Sequence, residues 1–303
     1  MPERCALICR NSRRCAGVQG GAIDLAAASG CAAGKMNSLT DLDQHQRSQG
    51  RAQARFAVAR GSTRLERLHQ QGSAKLIVLP GPEAVFLNTS GGLTGGDRLE
   101  LGLTLGSGAR VTATTQTAER VYRAASGSAA ISVGMELGAG AHLDWLPQET
   151  ILFDRAAARR RTQITLAEGA TCLMCESVVL GRAAMGERVH EAAFTDWRLV
   201  QRDGRPLHLE ALTLDAARLA AGAAGLADAR AFATLVLVAP DAGDALGRAR
   251  AVSGADDVQA AAAALPGRLV VRMMAADGWP LRRALMRVIR ALRPGPLPRV
   301  WQI

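Results

Sequence analysis

Five carboxylates that stand in largely apolar stretches are the residues of this sequence best placed to hold a cation. A buried carboxylate is costly unless an arginine, backbone N–H groups, water or a metal ion compensates it. Four of the five have an arginine within a few residues, so structural ion pairing is the alternative to metal binding. The carboxylates are Asp97, Glu149, Asp154, Glu176 and Glu187, and the arginines are Arg98, Arg155, Arg182 and Arg188.

A permanent metal site is not indicated by the histidines. They are His45, His69, His142, His190 and His208, and they include no closely spaced pair. Histidine ligands of a tightly held metal usually recur at short spacings, and an isolated histidine is more often an ordinary surface or core residue. The sequence therefore predicts neither a permanent metal nor a permanent cofactor.

The segment from Asn88 to Arg98, NTSGGLTGGDR, is a loop shaped by its glycines. Glycines this dense mark backbone with positive φ, or backbone that passes very close to another segment or a ligand. A phosphate-binding loop would end in Gly-Lys-Ser/Thr and open a helix, whereas Asp97 and a strand-like alternation follow here. The structural glycines are Gly91, Gly92, Gly95 and Gly96. The alternative is a tight β-turn whose aspartate bonds its own backbone.

The composition is that of a globular chain built from small and aliphatic side chains. Hydrophobic residues make up 48% of the 303 residues and aromatic residues 3%, which favours tightly stacked layers. The formal charge of +10 would fit an acidic protein, a nucleic acid or a membrane surface. The one dense basic run, Arg159 to Arg161, lacks interleaved aromatic residues, and a membrane span is not indicated.

Cysteine usage fits a reducing compartment, and we expect the cytoplasm. Cys172 and Cys175 fall in a strand-like segment, where residues three apart point to opposite faces about 10 Å apart. Two buried thiols are therefore expected there instead of a chelate or a disulfide. The remaining cysteines match no zinc spacing, although a cysteine metal site is the alternative. They are Cys5, Cys9, Cys15 and Cys31.

The first 35 residues differ from the rest of the chain, since they show no sustained periodicity. We predict that residues 1–35 are a disordered or non-native extension, with Met36 as an alternative start to Met1. Residues 36–303 are predicted to form a β domain with a helical portion at its C-terminal end.

Three segments share a pattern of alternating strand, short Gly-Ala turn and second alternating strand. They are LTLGSGARVTATT, MELGAGAHLDWLP and ITLAEGATCLMCE. Their shared glycines are Gly108, Gly140 and Gly169, at steps of 140 − 108 = 32 and 169 − 140 = 29 residues. A period near 30 indicates stacked β-units, because one strand pair cannot bury its apolar face alone. The predicted fold is mainly β, a stacked or helicoidal β-strand architecture of solenoid or sandwich type, with a few helices.

Other patterns place the remaining elements. Strands are expected around Arg55–Ala59 and Lys75–Leu79, separated by a charged segment at Arg64–Arg67. Further strands are a pair about the Asp203-Gly204 turn, Ala231–Ala239 and Arg268–Ala275. Short helices are expected at Asp241–Val252 and Asp256–Leu265, and the clearest helix is Trp279–Leu292 near the C-terminus.

Five segments occur in the order seen in the urease accessory protein family UreD, also called UreH. They are GGLTGGDRLE, TTQTAERVYR, LDWLPQETILFDRA, VLGRAAMGE and LPRVWQI. The combination of LPQETILFD with GRAAMGE is the specific part, and the chain resembles the family from Arg64 to Ile303. The resemblance implies a helical arrangement of strands and a scaffold that is not an enzyme. It further implies partners: the urease apoprotein, UreF, and through UreF the GTPase UreG, which brings nickel.

The resemblance also implies an internal water-filled passage that carries nickel(II) toward the urease active site. Weak polar ligands suit conduction, because an ion must be admitted and then released. We therefore expect the five carboxylates, with hydroxyls such as those of Thr115 and Thr117, to line or border such a passage.

Two functions of other classes would fit parts of the sequence. A β-solenoid carbohydrate-active enzyme could use Glu149 and Asp154 as acid and base. With four tryptophans and a single tyrosine, Tyr122, the chain is short of aromatic sugar platforms. A basic nucleic-acid-binding module would account for the net charge.

Overall fold

Two β-sheets packed face to face form the body of the protein. The computed structural model describes residues 47–254 and 257–302. The strands are β1 Gln49–Ala59, β2 Ser62–Gly72, β3 Ala74–Leu79, β4 Glu83–Asn88, β5 Arg98–Leu105, β6 Arg110–Thr115, β7 Glu119–Val121, β8 Ala129–Leu137, β9 His142–Trp145, β10 Thr150–Leu152, β11 Ala156–Leu166, β12 Thr171–Leu180, β13 Ala192–Arg202, β14 Arg205–Leu214, β15 Ala231–Val238, β16 Val258–Leu265 and β17 Arg268–Ala275. The helices are α1 Ala216–Leu219, α2 Leu246–Ser253 and α3 Gly278–Leu292.

The first sheet has the strand order β14-β13-β11-β8-β5-β1-β2, and the second has the order β16-β17-β15-β12-β9-β6-β4-β3. Short strands β7 and β10 pair with each other, and β10 also pairs with β12. Strands β5, β8 and β11 run parallel in the first sheet, and β6, β9 and β12 run parallel in the second. The chain therefore winds between the two sheets in successive coils.

The three sequence repeats are three consecutive coils. Each repeat begins in the first sheet, passes a glycine turn and continues in the second sheet. Gly108, Gly140 and Gly169 adopt φ of 68°, 65° and 66°, a conformation that favours glycine. The turns stack on one another, because the N–H of Gly108 donates to the Ala139 carbonyl at 2.8 Å and that of Gly140 to the Glu168 carbonyl at 2.9 Å. The predicted mainly β, stacked architecture is confirmed.

Two apolar cores lie on either side of the second sheet. The first fills the space between the sheets, where strands such as β8 alternate strictly between buried and exposed residues. The second lies between the second sheet and the helices, with α3 contributing its apolar stripe and Trp301 its indole ring. Cys172 belongs to the first core and Cys175 to the second, both as free thiols. The prediction that they face opposite ways is confirmed.

Two of the predicted elements are wrong. The charged segment Arg64–Arg67 does not separate strands but lies inside β2, an exposed edge strand whose apolar and polar residues do not alternate. Residues 258–265, predicted as helix from their alanines, form the edge strand β16 paired with β17. Alanine has the highest helix propensity, but such propensities are small, and pairing with a neighbouring strand overrides this one. The helix predicted near the C-terminus is confirmed as α3.

The predicted extension, residues 1–35, lies outside the described residues, as do Met36 and the four N-terminal cysteines. Within the described ranges, no helix combines the length and the apolar character needed to cross a bilayer.

Candidate functional site

A chain of charged side chains crosses the apolar space between the sheets. Glu176 on β12 is 1% exposed, and its carboxylate lies 2.7 Å from Nη1 of Arg160 on β11. The indole Nε1 of Trp145 donates to the same carboxylate at 2.9 Å. Arg160 also donates through Nε to Asp196 on β13 at 3.0 Å. The two sheets are thus joined by charge as well as by apolar packing.

From Asp196 the chain continues toward the last strands. Arg198 donates through Nε to Asp196 at 2.9 Å and through Nη1 to Glu210 on β14 at 2.9 Å. Arg272 on β17 reaches the other oxygen of Glu210 at 2.8 Å. We call Glu176, Arg160, Asp196, Arg198, Glu210 and Arg272 the ionic chain. Its charges alternate in sign, so it is neutral as a whole.

The ionic chain ends in a cavity of about 540 Å³ between β14 and the strands β15 to β17. Arg198, Glu210 and Arg272 line this cavity together with apolar residues that include Phe232 and Met274. Burial alone would raise the pKa of Asp196, but Arg160 and Arg198 hold it well below its usual range. Asp196 is therefore paired with guanidinium groups and charged at neutral pH.

At its other end the ionic chain leads to the short ladder of β7 and β10. Nη1 of Arg160 donates to the hydroxyl of Thr150 at 2.8 Å. Thr150 lies in parallel register with Glu119 on β7, and register neighbours stand about 4.8 Å apart on one face of a ladder. Polar groups therefore continue from the ionic chain to Glu119. We call this whole row, from Glu119 to Arg272, the polar column.

Glu119 lies in a small cavity of about 40 Å³ beside the glycine loop. We call this cavity the loop pocket. Nδ2 of Asn88 donates to both carboxylate oxygens of Glu119, at 3.1 and 3.2 Å. Burial raises the pKa of Glu119 to about 7. Other lining residues include Gly91, Gly92, Thr115 and Thr117, so two predicted hydroxyls and two predicted glycines meet here.

The glycine loop is shaped by its close approach to the next coil. A Cβ at Gly92 would lie 2.4 Å from the ring of Tyr122, and one at Gly95 would lie 2.0 Å from the carbonyl oxygen of Ser126. Gly91, Gly92 and Gly96 also adopt φ of 78°, 146° and 91°. The prediction of a backbone-shaped loop is confirmed, and its close neighbour is a segment of the same chain.

Asp97 holds this loop in place. It is 5% exposed and accepts hydrogen bonds from the backbone N–H of Thr94 at 2.8 Å and of Ser48 at 2.7 Å. The first of these is the local aspartate–backbone bond that the turn alternative expects. Backbone donors, and not Arg98, compensate its charge.

Asp154 and Glu187 come together where coil turns stack at the surface. The N–H of Asp154 donates to Glu187 at 3.3 Å, and Asp154 accepts from the N–H groups of His190 and Glu191 at 2.7 and 3.1 Å. Glu187 pairs with Nε of Arg182 at 2.7 Å. Burial by itself would raise the pKa of both carboxyls, but these donors lower it below its usual range. The pair therefore stays charged and bound to the turns at neutral pH.

Glu149 marks the junction with helix α3. Its carboxylate lies 3.3 Å from Nη1 of Arg282, which also bonds the side chain of Gln148, and Nη2 of Arg282 donates to the Val300 carbonyl at 3.2 Å. This network attaches the C-terminal segment to the solenoid. Glu149 and Asp154 therefore have separate sets of partners, which gives no support to an acid and base pair.

The five predicted carboxylates do not converge on one lining. Asp97, Glu149 and Glu176 have separate surroundings, whereas Asp154 and Glu187 share one cluster. The described residues contain no group of three or more His, Cys, Asp or Glu side chains with metal-binding geometry.

Sequence reasoning missed Glu119 and the partners of Glu176. The acid of TTQTAERVYR was visible as a lone carboxylate in a motif, but its burial was not. The run Arg159–Arg161 was visible as basic, yet strand alternation buries Arg160 and exposes its two neighbours. It is therefore not one continuous basic surface.

A family model described as UreD urease accessory protein matches residues 48–302. A protein of Cereibacter sphaeroides named urease accessory protein UreD is 58% identical over 274 residues, which cover 88% of this chain and 100% of the relative. Relatives of the same name from Paracoccus denitrificans and Rhizobium leguminosarum are 50% and 44% identical, and cover 85% and 88% of this chain and 93% and 100% of their own. The chain belongs to the UreD family of urease accessory proteins.

Proposed function

We propose that this protein serves urease maturation as a scaffold that is not itself an enzyme. It binds the urease apoprotein and UreF, and UreF recruits the GTPase UreG, which brings nickel(II) as a cargo that is held only in transit. The family membership and the name shared by the relatives support this proposal. The free thiols Cys172 and Cys175 suit a reducing cytoplasm, where we place the complex.

The observation that carries the transport part of the proposal is the polar column. In a core otherwise filled mainly by apolar side chains, it connects the loop pocket, beside β4 to β7, with the larger cavity beside β14 to β17. Burying so many charged groups is costly, and apolar residues of similar size would fill the same space with equal or greater stability. A function that needs polar groups in the interior accounts for their presence.

In this proposal the predicted site residues take different parts in the passage. Glu176 and the hydroxyls of Thr115 and Thr117 line it, since they lie on the column or in the loop pocket. Asp97, Glu149, Asp154 and Glu187 border it, since backbone donors or arginines hold them in turns and at the α3 junction. Polar oxygen groups bind nickel weakly enough to release it.

Co-expression tests the proposal. The full chain is produced with the urease subunits and the other accessory proteins, and urease nickel content and activity are compared with and without it. Nickel loading that depends on the chain is expected, and equal loading in both cultures would overturn the proposal.

A matched pair of variants tests the passage itself. Glu176→Gln should lower nickel loading while leaving urease and UreF bound in a pull-down. Glu100→Gln, the same change on the exposed face of β5, should leave both unchanged. Full loading with Glu176→Gln would remove Glu176 from the passage.

A further inference from the structure

Glu119 differs from the other carboxylates of the polar column in its partner. Glu176, Asp196 and Glu210 each lie within 2.9 Å of an arginine nitrogen. The side-chain partner of Glu119 is instead the neutral amide of Asn88, at 3.1 and 3.2 Å. These distances lie at the long end of the usual N–H···O range. A partly buried carboxylate whose side-chain partner is an amide at this distance favours the arrival of a cation.

The loop pocket has the size and the donors for one small cation. Its volume of about 40 Å³ exceeds that needed for a single water molecule, which is about 10 to 15 Å³ by this measure. The side chains that line it around Glu119 carry the amide of Asn88 and the hydroxyls of Thr115 and Thr117. The oxygen donors of this lining are the Glu119 carboxylate and the two hydroxyls, because Asn88 directs Nδ2 toward Glu119 while its Oδ1 accepts from Ser90. Oxygen donors suit divalent cations of hard or borderline character.

Neighbouring charges decide where along the column a cation rests. Beyond Thr150, the buried guanidinium of Arg160 disfavours a resting position of the cation beside Glu176. Arg120, the next residue, also lines the loop pocket, but it is exposed, so solvent screens its charge. The loop pocket is thus the place on the column where a carboxylate is available without displacing an arginine.

We propose that the loop pocket is a binding site for a divalent cation, with Glu119 as its charged ligand and the Thr115 and Thr117 hydroxyls and Asn88 beside it. Resting on the proposed function, the site is the point on the polar column where nickel(II) pauses. This deepens that function by assigning the cation to Glu119 rather than to the arginine-paired Glu176.

Titration of the purified full chain with Mn²⁺ tests the site, with the loss of the free Mn²⁺ electron paramagnetic resonance signal as the readout. Mn²⁺ prefers oxygen ligands, so binding at cysteines contributes little. Glu119→Gln should weaken binding at least ten-fold, and Ni²⁺ should compete for the site in the unmodified chain. Glu100→Gln, a change on the exposed face of β5 and outside the pocket, is the matched control and should bind as the unmodified chain does.

A second variant keeps the test independent of folding defects. Asn88→Asp places another carboxylate against Glu119 and should tighten Mn²⁺ binding at least ten-fold. Unchanged binding in both Glu119→Gln and Asn88→Asp would overturn the inference. If that result came with nickel loading of urease that still depends on the chain, the proposed function would stand and only the assignment to Glu119 would fall.

Discussion

The ionic chain and the loop pocket bury carboxylates in opposite ways. In the ionic chain, each carboxylate meets at least one guanidinium group, and Arg160 and Arg198 lower the pKa of Asp196. In the loop pocket, Glu119 meets an amide, and burial raises its pKa to about 7. The first arrangement joins the two sheets through ion pairs, whereas the second leaves a carboxylate that has no ion-pair partner. Burial of a carboxylate alone therefore does not indicate function. The side chains that the fold places beside the carboxylate must be considered as well.

The largest loss of stability is expected when the guanidinium group of Arg160 is removed from the ionic chain. Arg160→Met leaves Glu176 buried without a cation and Asp196 with one arginine fewer, and should lower the free energy of unfolding by about 3 to 5 kcal/mol. Arg159→Met, on the exposed face of the same strand, should change it by no more than about 0.5 kcal/mol. Urea denaturation of the two variants measures both values. Equal effects would show that the ionic chain does not stabilise the sheets.

The wall of the loop pocket should be the next most sensitive place. Gly92→Ala puts a methyl group 2.4 Å from the Tyr122 ring at a φ of 146°, and should cost about 3 kcal/mol by overpacking and backbone strain. At Gly91, a Cβ meets nothing within 4 Å. Gly91→Ala should therefore lower the free energy of unfolding by about 1 kcal/mol, through strain of the left-handed backbone alone. Thermal unfolding gives the difference. A cost for Gly91→Ala as large as that for Gly92→Ala would mean that contact with Tyr122 is unimportant.

The pH dependence of stability should have opposite signs in the two regions. The folded pKa of Glu119 is about 7 against 4.5 for a free glutamate, so its contribution is fully present below pH 4.5 and lost as the pH rises through 7. Glu119→Gln removes that loss, and should raise stability at pH 8 by about 1 to 2 kcal/mol but hardly at pH 4.5. Denaturation of both proteins at the two pH values checks this. A stability difference independent of pH would contradict the burial of Glu119.

Asp196 provides the opposite case. Its folded pKa is lowered from 3.8, so its contribution is present above 3.8 and lost as the pH falls below that value. A fall in pH should therefore decrease the stability contributed by Asp196 and increase that contributed by Glu119.

The smallest effect is expected at the surface turns. Asp154→Asn keeps an oxygen that can accept from the N–H groups of His190 and Glu191, and should cost about 1 kcal/mol or less through loss of charge. It should leave Mn²⁺ binding unchanged, because Asp154 lies outside the loop pocket. Thermal unfolding and Mn²⁺ titration of this variant check the two parts. A loss of cation binding would extend the site to the stacked turns.

The coils could be predicted from the sequence because their turns each require glycine at the same position. The positions of Gly108, Gly140 and Gly169 indicate both the repeat and its period. Strand β16 could not, since its alanines prefer a helix and only pairing with β17 makes it a strand. The requirement for glycine depends on the local backbone conformation and is visible in the local sequence. The pairing of an edge strand depends on residues elsewhere in the chain.

The site was less predictable for a related reason. Charge compensation was expected between sequence neighbours, but Glu176 is paired with Arg160, one strand earlier, and not with Arg182. Asp196 and Arg198 join from the next strand of the first sheet. Parallel register places Arg160 beside Asp196, and the packing of the second sheet on the first places Glu176 against Arg160. Neither hydrophobic pattern nor residue type encodes that register or that packing. Glu119 was overlooked because its burial depends on the glycine loop folded over it.

The stacked glycine turns also determine where the chain length can vary. Arg98, Ala130 and Arg159 share one register position in the first sheet, and Arg110, His142 and Thr171 share one in the second. The spacing across the glycine turn is the same in all three coils, 110 − 98 = 12, 142 − 130 = 12 and 171 − 159 = 12 residues. The three-residue difference between the 32- and 29-residue repeats is therefore absorbed on the opposite side, around β7 and β10. Evolutionary insertions, and peptide tags inserted by design, should be tolerated on that side and rejected at the glycine turns.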